Sequence, residues 1–161
     1  MSLRLSTGLL NLLMSQSAGS LAGLSFGDLF IDGVIYIYTG AQPATADLTE
    51  SGTNILIISE SGGAFTPAAP GNGLEFEEDS TAGILEKASA ETWQGIGIGG
   101  GGTAGWFRFY ANARTQGASS TSVRFDGQCA TTGGELTMSS TTIVVGATTT
   151  IDTFSVTLPS T

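Results

Sequence analysis

Histidine is missing from this chain of 161 residues, and with it the commonest general base and the commonest metal ligand. Cysteine occurs once, at Cys129, so no intrachain disulfide can form. With no histidine to activate it, that thiol reads as a small buried apolar group rather than a nucleophile. Basic residues are scarce. Arg4, Lys87, Arg108, Arg114 and Arg124 face fourteen acids for a formal charge of −9, and they build no basic stripe. Neutralising the phosphates of a nucleic acid is thereby excluded as an expectation. Long apolar runs are absent too, since none approaches the ~18 residues of a membrane span. Met1-Ser-Leu-Arg4 and the small residues Ser17 to Ala22 imitate a signal peptide, but Ser6, Thr7, Gly8 and Asn11 interrupt the apolar stretch, so secretion is not expected.

Charged residues make up only 12% of the chain, about half the usual share. Glycine, serine and threonine fill the deficit, which gives a neutral, hydroxyl-rich surface. Hydrophobic residues still reach 40% and recur in short clusters, enough to offset chain entropy in one folded domain.

Leu5, Leu9, Leu12, Leu13 and Gln16 follow a helical spacing, with Ser6 or Thr7 placed to cap the start and Gly19 and Gly23 to end it. A helix of about ten residues is marginal alone in water, so either its own domain or a neighbouring subunit must cover the leucines. After Gly27 the texture becomes strand-like. Val34 to Tyr38 and Asn54 to Ile58 are apolar on both faces, as strands buried from two sides are. Pro70-Gly-Asn-Gly73 marks a turn, and Leu74-Glu-Phe-Glu77 then alternates with Leu74 and Phe76 inward. Ala82 to Ala88, the aromatic run Trp106 to Tyr110, and Ser122 to Asp126 read as further strands, the last closed by an Asp126-Gly127 turn. Leu136 and Met138 share a face, as do Ile143 and Val145. A final strand, Ile151 to Leu158, aims Phe154, Val156 and Leu158 inward and Thr153, Ser155 and Thr157 outward.

Short strands separated by turn chemistry predict a mainly β fold, a β-sandwich or jelly-roll-like barrel with a short N-terminal helical arm. The expected division is an arm and linker over 1–27 and a single β domain over 28–161.

Few segments carry recognisable chemistry. Gly95-Ile-Gly97-Ile-Gly-Gly100 matches G-x-G-x-x-G, but the tract runs into the Trp106 strand with no helix following, so a mobile loop or one ordered by a neighbour is expected instead of a nucleotide site. Glu75, Glu77, Glu78 and Asp79 form the densest acidic cluster. Alternation sends Glu75 and Glu77 to solvent, and no EF-hand-like spacing is present. Trp93, Trp106 and Tyr110 fit either a sandwich core or a stacking platform for sugars or bases. No catalytic residue, metal ligand or cofactor site is assigned, and the chain is expected not to be an enzyme.

Arg4-Leu-Ser-Thr-Gly-Leu9, Gly33-Val-Ile-Tyr-Ile-Tyr-Thr-Gly-Ala-Gln-Pro-Ala-Thr-Ala-Asp47, Gly105-Trp-Phe-Arg108 and the ending Thr141 to Pro159 resemble small structural proteins of tailed-bacteriophage virions. The resemblance spans nearly the whole chain, departs from that group in the glycine tract before Trp106, and identifies no active site. It implies a virion component made in the host cytoplasm. A capsid decoration (cement) protein stabilising the head lattice is the leading expectation; a neck, tail or fibre-base protein comes second, and a carbohydrate-binding module third. The implied partners are the major capsid protein or other virion proteins, and further copies of the chain as a trimer or dimer. Leu5, Leu9, Leu12 and Leu13 are the candidate assembly residues.

Overall fold

The computed structural model describes residues 3–14, 24–69, 71–78 and 83–157. Two long strands, β2 (Val34–Thr39) and β7 (Gly102–Tyr110), pair antiparallel at the centre of a nine-stranded sheet. On one side the sheet continues through β8 (Arg124–Ala130) to a short edge strand β1 (Arg4–Leu5). On the other it runs through β3 (Asn54–Glu60) and β6 (Trp93–Ile96) to β11 (Thr148–Ile151). Two short strands attach to it, β9 (Leu136–Thr137) on β8 and β10 (Thr142–Ile143) on β7. A three-stranded sheet of β12 (Ser155–Thr157), β5 (Ile84–Lys87) and β4 (Phe76–Glu78) supplies a second layer. The fold is mainly β and sandwich-like, with a short N-terminal helix α1 (Thr7–Met14).

Aromatic packing between the layers makes the main core. Phe109 stacks on Phe125 with centroids 5.2 Å apart and on Phe76 at 5.2 Å, while Phe30 meets Phe125 edge-on at 4.9 Å. Such pairs each add about 0.5–1.5 kcal/mol beyond the area they bury. Val156 and Leu85 of the small sheet pack into the same cluster. The central strand is covered on both sides, as its continuous apolar run predicts. Ile35 and Ile37 enter the main core, while Val34, Tyr36 and Tyr38 join Trp106 and Tyr110 in a second cluster on the opposite face.

The N-terminal segment differs from the expected arm. Leu5 lies in β1, paired with Phe125, not on a helix. Helix α1 begins one residue after Ser6, whose hydroxyl accepts the Leu9 N–H at 3.2 Å and donates to the Ser122 carbonyl at 2.7 Å. Leu9 is fully buried in the main core, which also takes in Phe26 of a second helix, α2 (Phe26–Leu29). The described part of 1–27 therefore shares its core with the β body. A Ser25–Asp28 capping box starts α2. Gln16, Gly19 and Gly23 lie outside the described residues, as do Pro70, Asp79, Ala82 and Leu158.

Three further expectations are corrected. Asp126-Gly127 is no turn, because β8 continues through it: Asp126 is buried against Arg108, and a Cβ on residue 127 would stand 2.5 Å from the Phe107 ring. The C-terminal strand breaks at Asp152-Thr153 into β11 and β12, which belong to different sheets, although Phe154 and Val156 do point inward. Ile143 is buried but Val145 is exposed. The glycine tract begins inside β6, where a Cβ at residue 95 would lie 1.9 Å from the Ile57 carbonyl oxygen, so only glycine lets the two backbones approach.

Candidate functional site

Polar chemistry concentrates on the second face of the large sheet. Alternation along β7 puts Trp106, Arg108 and Tyr110 there, and the antiparallel register sets Asp126 of β8 directly opposite Arg108 and Arg124 opposite Tyr110. Arg108 and Asp126 make a bidentate ion pair, Nε to Oδ1 at 2.6 Å and Nη2 to Oδ2 at 2.8 Å, with neither side chain exposed. The remaining Arg108 nitrogen, Nη1, donates to the Leu48 carbonyl and to Glu50 Oε1, each at 3.0 Å. The Arg108 guanidinium also sits 5.4 Å from the Trp106 ring centre.

Arg124 does similar work for loop backbone. Its Nε donates to the Ala46 carbonyl at 2.8 Å, Nη1 to Thr115 and Gly117, and Nη2 to Asp47. Glu50 accepts from the Gly117 N–H at 2.9 Å and from the Tyr110 hydroxyl. Arg4 reaches the Pro43 carbonyl, and the Thr7 N–H donates to Asp47 Oδ1 at 2.9 Å. The 40–53 and 111–121 loops are thereby fastened over the sheet. A loop drawn inward brings carbonyls that need donors, and an arginine offers five in a fixed fork.

The network is electrically balanced, with Arg108 and Arg124 against Glu50 and Asp126. Burial works against the Arg108 cation, but the hydrogen bonds and charge of Asp126 outweigh it and raise its pKa above the ordinary guanidinium value. Burial raises the Asp126 carboxyl although Arg108 opposes it. Burial also opposes ionisation of Glu50, yet the hydrogen bonds from Tyr110 and Gly117, with Arg108 nearby, hold its carboxyl below the usual range. Burial pushes the Tyr110 phenol up, helped by Tyr38 and Glu50, so it acts as a donor throughout the physiological range. These groups hold backbone and one another.

A solvent-filled cleft of about 470 Å³ lies elsewhere, lined by Glu77, Glu86, Glu135 and Asp152 together with Lys87 and Ser89. Glu77 and Glu86 are direct cross-strand neighbours and both are exposed. The lone lysine is engaged at the cleft edge, its Nζ donating to the Glu91 carbonyl at 2.6 Å. Among the described residues no group of three or more acids, histidines or cysteines is placed to hold a metal ion. Trp93, Trp106 and Tyr110 are core residues with at most 1% exposure, so they form no stacking platform. Cys129 is buried, which pushes its thiol up.

No family model, curated protein or solved structure matches the chain. Its candidate sites therefore rest on its own geometry. Of the predicted assembly residues, Leu9 is in the core, Leu5 and Leu13 pack against that core, and Leu12 is half-buried. Leu5, Leu9 and Leu13 of the leucine face thus pack on the chain's own β body. Large apolar groups are exposed elsewhere: Leu10 and Met14 on the outer side of α1, Leu24, Ile31 and Leu48 in connecting segments, and Ile96, Ile98, Val144 and Val145 where residues 96–98 run beside 144–147. Sequence reading missed both the Arg108–Asp126–Glu50–Arg124 network and this second patch. An arginine alternating with Trp106 and Tyr110 on a strand is the signal that betrays the network, since a charge in an aromatic row needs a buried partner.

Proposed function

We propose that this chain is a non-catalytic structural protein of a tailed-bacteriophage virion, decorating the capsid and stabilising its lattice. One observation carries the reading. Three of the four phrases that resemble such proteins meet along one loop: Arg4 and Thr7 of the first bond Pro43 and Asp47 of the second, and Arg108 of the third bonds Leu48 and Glu50 just beyond them, within the Arg108–Asp126–Glu50–Arg124 clamp. Motifs scattered over a hundred residues that jointly fasten one loop have a fold-level reason to recur together. The apolar side chains exposed along 96–98 and 144–145, beside a charge-poor surface, suit a subunit that works through contact with neighbours. Its partners on this reading are the major capsid protein or other virion proteins.

Immunogold labelling of purified virions from the encoding genome tests the proposal. Label distributed over the head shell is the expected result. Label confined to the neck, tail or fibre base would replace decoration with the second structural role. Virions that carry none of this chain, by labelling and by mass spectrometry, would overturn the reading.

A further inference from the structure

We propose that β11 pairs antiparallel with β11 of a second copy, joining two large sheets across a twofold axis at Thr149. The inference goes beyond the virion reading and stands whether or not that reading holds. Strand β11 bonds β6 on one side, and among the described residues no strand lies on its other side. An open edge presents unpaired N–H and C=O groups, and proteins ordinarily blunt such edges with charge, proline or brevity. The other edges are blunted. Strand β4 carries Glu77 and Glu78, β1 is two residues long and bears Arg4, and β12 has three residues. Strand β11 has four residues and no charge, and no charged residue or proline occurs from Ile143 to Ile151. Thr148 and Thr150 are exposed, and the apolar groups of Ile96, Val144 and Val145 stand exposed alongside.

Charge selects the occupant. Two copies of a chain with a formal charge of −9 repel wherever their acids meet, so self-association needs a face without them. With Thr149 on the axis, Thr148 faces Thr150 of the second copy and Ala147 faces Ile151. The nearest acid, Asp152, follows the last residue of β11 and lies beyond the paired residues. The two copies of Asp152 then stand past opposite ends of the paired strands, roughly 20 Å apart at strand spacing, which exceeds the screening length of about 8 Å at physiological ionic strength. A cationic partner would be drawn instead to the acidic cleft, since the neutral edge offers it no attraction. Pairing of identical edges is isologous and closes at a dimer.

Sedimentation of the full chain over a concentration series tests this with paired substitutions. The wild type is expected to reach twice the chain mass at tens of micromolar. T148K with T150K puts lysine opposite lysine at two positions and should weaken association roughly tenfold or more, with an unchanged circular dichroism spectrum and melting temperature. T148K with T150E puts lysine opposite glutamate twice. It should restore the dimer, in a form that raised salt weakens. A second-copy strand in this register is the arrangement that the pair rescues. A wild type monomeric up to about 1 mM, a Lys/Lys variant that dimerises like wild type, or a Lys/Glu variant as weak as Lys/Lys would each overturn the proposal. If the Lys/Lys chain fails to fold, amide exchange of the wild type decides: β11 amides must gain protection as concentration rises, and equal exchange at low and high concentration would refute the pairing.

Discussion

Removing the charge of Asp126 should destabilise the protein far more than removing the whole ion pair. In Asp126→Asn the shape and one acceptor oxygen are kept, but Arg108 remains fully buried as a cation with Glu50 as its remaining carboxylate. The balanced set of two cations and two anions becomes net positive in a largely buried region. Breaking one side of a buried pair costs about 3–5 kcal/mol. For a chain of this length that lowers the melting temperature by roughly 6–20 °C. The double change Arg108→Met with Asp126→Leu leaves Arg124 facing Glu50, so the remainder is balanced again. Its loss should be about 2 kcal/mol, mainly the donors withdrawn from Leu48 and Glu50. Urea unfolding at pH 7, monitored by circular dichroism and extrapolated linearly for wild type, Arg108→Met, Asp126→Leu and the double, reads the four corners of the cycle, with Asp126→Asn measured beside them. A double variant whose loss equals the sum of the singles would show that Arg108 and Asp126 are not coupled, and the electrostatic account of the clamp would fail.

Leu9→Ala should cost about 2–5 kcal/mol in the same assay, because the side chain is fully buried in the main core, while Leu10→Ala on the exposed side of α1 should stay within about 0.5 kcal/mol; equal losses would mean that α1 is not docked through Leu9. Acid sensitivity should trace to Glu50. Its folded carboxyl lies below the ordinary value of 4.5, so the unfolded chain binds more protons, and the stabilisation is present above that value and lost as pH falls through the lowered one. Stability curves of wild type and Glu50→Gln should accordingly converge on acidification, and a gap that stays constant from pH 7 to about pH 3 would contradict the assignment. Cys129 should react with a thiol-specific disulfide reagent at least about a hundredfold more slowly in the native protein than in urea, since reaction requires an opening of roughly 3 kcal/mol.

Most of the fold was legible where burial left an unambiguous period. The two-sided runs at Val34–Tyr38 and Asn54–Ile58 are central strands because both their faces are covered, and nothing local competes with that pattern. Leu74, Phe76, Phe154 and Val156 point inward as alternation requires. Short elements are harder. Helix α2 is four residues long, too few for a helical period to show, although Ser25 and Asp28 at capping-box spacing mark its start. Leu5 fits the helical spacing of Leu9, Leu12 and Leu13 equally well as a strand residue, and it is the backbone pairing with Phe125, more than a hundred positions away, that decides. Asp126-Gly127 carries every local mark of a turn. The tertiary demand of Arg108 for a carboxylate overrides it.

The clamp was illegible for a related reason: its members are spread over the chain, and each has a bland reading alone. Five scattered basic residues argue against a basic stripe in the sequence, but scatter in sequence is not scatter in space. Pairing of β7 with β8 brings Arg108 against Asp126, and the same sheet face collects Arg124, Tyr110 and the loop carrying Glu50. In a chain this poor in charge, the fate of each arginine is informative. Two of five are fully buried and spend their donors on loop carbonyls and carboxylates, and because Asp126 and Glu50 balance them the formal charge of −9 falls on the rest of the chain. Acids on two copies repel where they meet, so the uncharged border along β11 is where electrostatics permits the pairing proposed above.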